Sequence, residues 1–281
     1  MHNPLVPESL EGWSLLHLMY RLKWEELRAL SDAERGRLAE EAVAALAAPT
    51  AVPGAAPENE GPTAFAQMLG HKADLMVTCF RRSFEGLAAS QLAWQRSGLA
   101  RYLEPTTSYV SIVELGMYEM TGKLHEQLAA KHKPGSEEFE RAFDAEMETQ
   151  RQRVTSRLWA DVPAFRYVCF YPMNKRRGET VNWYGESFER RALMMREHGM
   201  IGRHYAGKVT QIISGSIGYD DWEWGVDLYA PDPLVFKKLI YEMRFDEASA
   251  KFAEFGPFYT GVQFAPSQLA TLLAGQVPAL D

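Results

Sequence analysis

The chain has 281 residues, 46% of them hydrophobic and 24% charged, with a formal net charge of −7 and an isoelectric point near 5.6. That length is enough for a sizeable core and suggests about two domains. The acidic balance excludes the basic footprint of a nucleic-acid binder, and no run of about 18 apolar residues predicts a membrane span.

Gly12 to Tyr20 reads as a strand, with Trp13, Leu15, His17 and Met19 on one face. Ser31 and Glu34 have capping-box spacing, and Leu38, Ala42 and Leu46 then recur near the helical period. Pro49 to Pro62 is rich in Pro, Ala and Gly and is expected to be a flexible excursion. Thr63 to Leu69 and Asp74 to Phe80 form a strand pair around Gly70, Phe84 to Ser97 a helix stopped by Gly98, and Ser108 to Leu115 a strand. The order is βαββαβ. Gly122 to Arg153 is charged, with a Lys-Pro-Gly break at Lys133 to Gly135, and is expected to be a solvated helical connector.

The second half repeats the order. Arg166 to Tyr171 is a strand with Tyr167, Cys169 and Tyr171 on one face. Ser187 to Glu197 is a helix carrying a Phe188, Ala192, Met195 stripe, and Gly199 is placed to end it. Lys208 to Ser214 and Trp222 to Tyr229 are two strands. Asp232 and Pro233 open a helix with Leu239, Ile240 and Met243, and Phe258 to Phe264 closes the unit. Two βαββαβ units predict an α+β protein of two ferredoxin-like halves, residues 1–120 and 161–281 around a connector at 121–160. Their sheets either pack face to face or join into one barrel.

Several residues could carry chemistry. His198 sits at the expected end of its helix, where it is either a metal ligand or a cation on the helix dipole. Gln211 shares a strand face with Val209 and Ile213, and an amide there needs a partner, protein or ligand. Tyr171 ends a strand before Pro172, Met173, Asn174 and Lys175. Beside an oxidising metal a tyrosine can lose an electron and a proton; elsewhere it is a core residue. Lys175, Arg176 and Arg177 form a basic run, and Arg244 and Ser249 lie in a second polar stretch. Both suit carboxylate ligands, and both also suit a solvated surface. Cys79 and Cys169 form no CxxC pair, zinc spacing or CxxCH haem-attachment motif, and the N-terminus lacks the pattern of a signal peptide, so the expected setting is reducing and cytoplasmic. No Walker, Rossmann, HExxH or nucleophile-elbow motif occurs.

CFYPMNKRR from Cys169, NWY from Asn182, REHGMIGRHYAGKVTQIISGSIG from Arg196, DDWEWGVDLYAPDP and FKKLIYEMRFDEASAKFAEFGPFYTG together resemble the C-terminal half of the coproheme decarboxylases. These are the haem-forming branch of the chlorite dismutase superfamily. GHKADLMV from Gly70 and SYVSIVELG from Ser108 resemble pieces of the N-terminal half. The resemblance implies a dimeric α+β barrel-type subunit. It also implies binding of iron coproporphyrin III and its peroxide-dependent conversion to haem b through a tyrosyl radical. It makes His198 the iron ligand, Tyr171 the redox-active tyrosine, Lys175 its partner at a reacting propionate and Gln211 the distal residue. Arg157, Arg244 and Ser249 then hold propionates. A homo-oligomer follows, expected to be a pentamer, with transient contact to the coproporphyrin ferrochelatase. The rival readings are a chlorite dismutase, which places a cationic Arg where this chain has Gln211, and a haem carrier or sensor without chemistry.

Overall fold

The computed structural model describes residues 6–47 and 60–280. The excursion expected at Pro49 to Pro62 lies outside these residues apart from its last three, which begin a strand. In chain order the strands are β1 (Ser9–Leu22), β2 (Glu60–Met68), β3 (Leu75–Arg81), β4 (Leu103–Gly116), β5 (Tyr167–Lys175), β6 (Thr210–Gly215), β7 (Trp224–Ala230), β8 (Ala253–Phe255) and β9 (Tyr259–Phe264). The helices are α1 (Trp24–Arg28), α2 (Asp32–Ala47), α3 (Phe84–Arg96), α4 (Tyr118–Ala129), α5 (Glu137–Leu158), α6 (Phe188–His204), α7 (Leu234–Met243), α8 (Glu247–Ala250) and α9 (Leu269–Leu273).

The two halves share one sheet. Its order is β7-β6-β4-β1-β3-β2-β9-β5-β8, and β5 also pairs with β7, so eight strands close on themselves. Joining therefore prevails over face-to-face packing. Closure removes the sheet edges, with β8 added beside the end of β5 at Met173 to Lys175. Inside the barrel lie Leu15, Met19, Met76, Phe80, Tyr109, Phe170 and Tyr229. Residues Trp13 to Tyr20 of β1 are buried on both faces, because helices cover the outside as side chains fill the inside.

The outside carries two layers. Over the N-terminal strands, α2, α3 and α9 bring Leu38, Trp94 and Leu272 onto Leu16, Leu18 and Val77. Over the C-terminal strands, α7 brings Phe236, Leu239 and Met243 onto Cys169, Tyr171, Val226 and Leu228. Capping follows the side chains expected of it: Ser83, Ser136 and Ser187 each accept a backbone N–H at the start of α3, α5 and α6.

Two expectations are corrected. Gly199 does not end α6, which runs on to His204. A mid-helix glycine costs about 1 kcal/mol, and Ile201 and Tyr205 compensate by packing on the C-terminal layer. The turn out of the helix instead uses Gly207, whose φ of +77° suits a residue without a Cβ. The connector is not merely solvated either. α4 and α5 bury Leu124, Phe139 and Phe143 between them. The end of α5 packs so closely on β1 that a Cβ on Gly12 would lie 2.0 Å from the Leu158 carbonyl oxygen.

Candidate active site

The strand register places Tyr171 and Gln211 on one outer face of the barrel. Tyr171 and Ile213 both pair with Val226 of β7, while Cys169 and Gln211 both pair with Leu228 one row along. Strands lie about 4.8 Å apart, so the two side chains sit on the order of 10 Å from one another across β7. α6 crosses above them: a Cβ on Gly202 would be 3.7 Å from the Gln211 amide nitrogen. The Tyr205 hydroxyl donates to Glu242 at 2.8 Å and so ties the end of α6 to α7.

His198 lies inside α6, not at its end. The inward stripe is Phe188, Arg191, Met194, His198 and Ile201, shifted from the Phe188, Ala192, Met195 stripe expected of the sequence. The residue that anchors His198 is Asp246, which sequence reasoning did not single out. Asp246 caps α8: its Oδ1 accepts the Ser249 N–H at 2.8 Å, and its Oδ2 accepts the Ser249 hydroxyl at 3.1 Å. The same Oδ2 lies 3.0 Å from His198 Nδ1, and the Ser249 Oγ lies 3.3 Å from that nitrogen. Burial alone would raise the Asp246 pKa, but the hydrogen bond and charge of His198 and the two Ser249 bonds outweigh it and hold it below the usual carboxylate range. A carboxylate can only accept, so Nδ1 carries a hydrogen towards Asp246 and Nε2 is directed away from it. Among the described residues no hydrogen bond engages Nε2. The signal in the sequence was the Asp-x-x-Ser spacing of a helix cap.

Tyr171 is 4% exposed, its ring stacked on Phe258 at 4.6 Å and near Phe255 at 5.8 Å. No hydrogen bond holds its hydroxyl among the described residues. Burial pushes the phenol well above its ordinary value; the Cys169 thiol adds to this and the Arg244 guanidinium opposes it. Arg244 ends α7, with its guanidinium 4.3 Å from the Phe255 ring centre. Lys175 ends β5 and is 8% exposed. Its Nζ donates to the Ala248 carbonyl at 2.9 Å and lies 4.4 Å over the Trp183 ring. Burial brings its pKa down to about 8, against the opposing pull of Asp246 and Glu223. Trp183, without assigned chemistry in the sequence, is thus the wall against which Lys175 lies.

Tyr171, Lys175, His198, Gln211, Arg244 and Ser249 therefore share one layer, under α6, α7 and α8. Arg157 does not join them: it projects, exposed, from the last turn of α5, with no hydrogen bond or ion pair to the cluster among the described residues. Among the described residues no three His, Cys, Asp or Glu side chains converge as a bare-metal site. A lone histidine such as His198 would suit only a metal already held by a macrocycle. A cavity of about 380 Å³ opens elsewhere, at the barrel mouth between Tyr109, Phe170, Trp222 and Tyr259, and none of the cluster lines it.

Residues 35–264 match the sequence profile of the family described as chlorite dismutase. The chain belongs to that family. It is 40% identical over 271 residues to a coproheme decarboxylase of Staphylococcus saprophyticus, covering 96% of this chain and 99% of that one. It is 42% identical over 270 residues to a Natronomonas pharaonis protein whose name proposes haem binding, and it spans 42% of that longer relative. The solved structure of a haem-binding protein from Thermus thermophilus superposes with a TM-score of 0.79 at 37% identity, covering 98% of this chain and all of that one. The fold is that of the family, an α+β barrel of ferredoxin-like halves.

Proposed function

We propose that this protein converts iron coproporphyrin III to haem b with hydrogen peroxide, removing carbon dioxide from two propionates to leave vinyl groups. The observation that carries the reading is the convergence on one barrel face of a histidine oriented by a carboxylate, a buried tyrosine whose hydroxyl has no hydrogen-bond partner among the described residues, and a buried lysine. A non-catalytic carrier would need the first of these alone.

His198 supplies Nε2 to the iron, and Asp246 fixes the ring and raises the basicity of that nitrogen. The bound porphyrin iron, oxidised by peroxide, supplies the oxidising power. Tyr171 would give one electron and its phenolic proton to the peroxide-derived oxidant and then take a hydrogen from the propionate carbon beside the ring. Its apolar surroundings keep the phenol protonated until that step. Loss of a second electron to the same oxidant would break the bond to the carboxylate. One peroxide and one proton per propionate then balance as vinyl, carbon dioxide and two waters. Lys175, with a pKa near 8, is mostly charged at neutral pH and can neutralise a propionate or pass a proton to it. Arg244, Ser249 and Arg157 complete the carboxylate clamps, Arg157 being the one that must move inward. Gln211 would line the porphyrin site. It lacks the positive charge that would retain an anionic chlorine-oxygen intermediate, which disfavours chlorite dismutation.

The same reading places the porphyrin on residues 161–281, with 1–120 as supporting half and 121–160 as connector. It makes the protein a cytoplasmic homo-pentamer that receives coproheme from the ferrochelatase. No helix among the described residues is long and apolar enough to cross a membrane. The test is to mix the protein with iron coproporphyrin III, titrate in peroxide and follow the porphyrin by mass spectrometry. Stepwise loss of two carboxyl groups ending at haem b is expected. Porphyrin that stays bound and unchanged in folded protein would overturn the assignment in favour of a carrier.

A further inference from the structure

We infer that Glu223 is a positioning residue for Lys175, fixing its backbone and supplying negative charge to the field its ammonium meets. Glu223 directly precedes β7 and is 6% exposed. Its Oε2 accepts the Lys175 backbone N–H at 2.8 Å, a bond buried between two strand ends. Its own N–H donates to the Asn174 side-chain oxygen at 2.7 Å, and its carbonyl accepts the Ser216 N–H at 2.7 Å. Neighbouring residues of β5 are thus tied to Glu223 from both directions. A neutral amide side chain would accept the Lys175 N–H without the desolvation cost of an ion, so the charge of Glu223 needs a further account. Arg177 and the Tyr184 side chain meet that charge from the exposed side, and Lys175 meets it from the buried side.

The groups facing Lys175 sort by charge. Asp246 approaches from the start of α8, but its oxygens are already bonded to His198 and Ser249. Arg176 lies 3.8 Å from Glu254 of β8. Arg177 lies 3.4 Å from the other Glu223 oxygen, yet its side chain is 62% exposed, so water screens it while Glu223 at 8% is screened far less. The Tyr184 phenol is kept neutral by burial and by Glu223. Glu223 and Asp246 are the two negative groups that offset the burial of the ammonium. In the proposed reaction, on which this consequence rests, Glu223 keeps Lys175 charged at neutral pH beside a propionate.

The test reads Lys175 directly in substrate-free protein, by competitive acetylation from pH 6 to 11 with mass spectrometry of the Lys175 peptide. The wild-type midpoint is expected near 8. Glu223→Gln keeps an acceptor for the Lys175 N–H and removes the charge, and should lower the midpoint by about one unit. Glu223→Asp withdraws the charge without deleting it and should give a smaller fall, which serves as the measurement if the Gln variant does not fold. An unchanged midpoint in whichever folded variant is measured overturns the inference. The alkaline limb of the pH profile for haem b formation should move down with the midpoint. If wild type forms no haem b, the proposed function fails while the acetylation result still decides the role of Glu223.

Discussion

One barrel carries two outer faces, and helices cover both. On the N-terminal face, β1 and β3 meet α2, α3 and α9 through Leu16, Leu18, Val77, Trp94 and Leu272, with gaps filled by apolar side chains. Its buried cation, Arg81, commits its guanidinium to Ser90, Thr63 and the carbonyls of Leu46, Gly61 and Phe80. On the C-terminal face, β5, β6 and β7 meet α6 to α8 through Tyr171, Lys175, Gln211, His198, Asp246 and Ser249 as well as apolar residues. There, among the described residues, no hydrogen bond engages His198 Nε2 or the Tyr171 hydroxyl. The same architecture thus packs one face mainly with apolar side chains and gathers on the other the polar groups that the proposed function would use.

Substitutions should separate the faces. His198→Ala should weaken coproheme binding by more than about 100-fold, the upper end of the cost of losing a mere support of a metal ligand, and change the ferric absorption spectrum. An unchanged spectrum would refute the ligand assignment. On the other face, Trp94→Ala should cost about 3–5 kcal/mol in denaturant unfolding, because its side chain is 1% exposed, yet leave haem b formed per folded molecule unaltered. A large loss of activity in folded Trp94→Ala would erase the distinction between the faces. Asp246→Asn should reduce coproheme affinity by about 10- to 100-fold, measured by titration, since it keeps the shape while loosening the hold on Nδ1.

The smallest effect is on pH dependence. The folded pKa of Lys175, about 8, lies below its ordinary 10.5, so burial penalises the charged form. Below pH 8 the group is charged in folded and unfolded states alike and the penalty is complete. Between about 8 and 10.5 only the unfolded state holds the proton, so this group makes stability rise with pH. Asp246 is shifted in the same direction but with its charged form favoured: its depressed pKa stabilises the fold above the ordinary carboxylate value, and that contribution fades as pH falls through the folded value. Lys175→Met should flatten the alkaline rise in thermal stability, and an identical profile would contradict the burial argument.

Strands were the legible part of the sequence, because period-two patterning and turn residues are local; so was the order of two βαββαβ units. Barrel closure was legible only through the resemblance, since the pairing of β5 with β7 and of β2 with β9 joins segments far apart in the chain. The end of α6 misled because Gly199 is a local stop signal overruled by packing of Ile201 and Tyr205. Tyr171, Lys175, His198 and Gln211 were proposed as a set through resemblance; the register explains why Tyr171 and Gln211 share a face, and α6 lays His198 over the same side. Asp246 and Glu223 were hidden because a carboxylate among charged neighbours looks like solvated surface until its partner arrives from another element.

The most direct test of the reactive C-terminal face is freeze-quench electron paramagnetic resonance of the coproheme complex mixed with peroxide, wild type beside Tyr171→Phe. The account predicts a tyrosyl signal in wild type that the variant lacks, with coproheme binding retained to within about threefold and no haem b formed, because Phe removes the phenol at little packing cost. Haem b produced at the wild-type rate by Tyr171→Phe would contradict it.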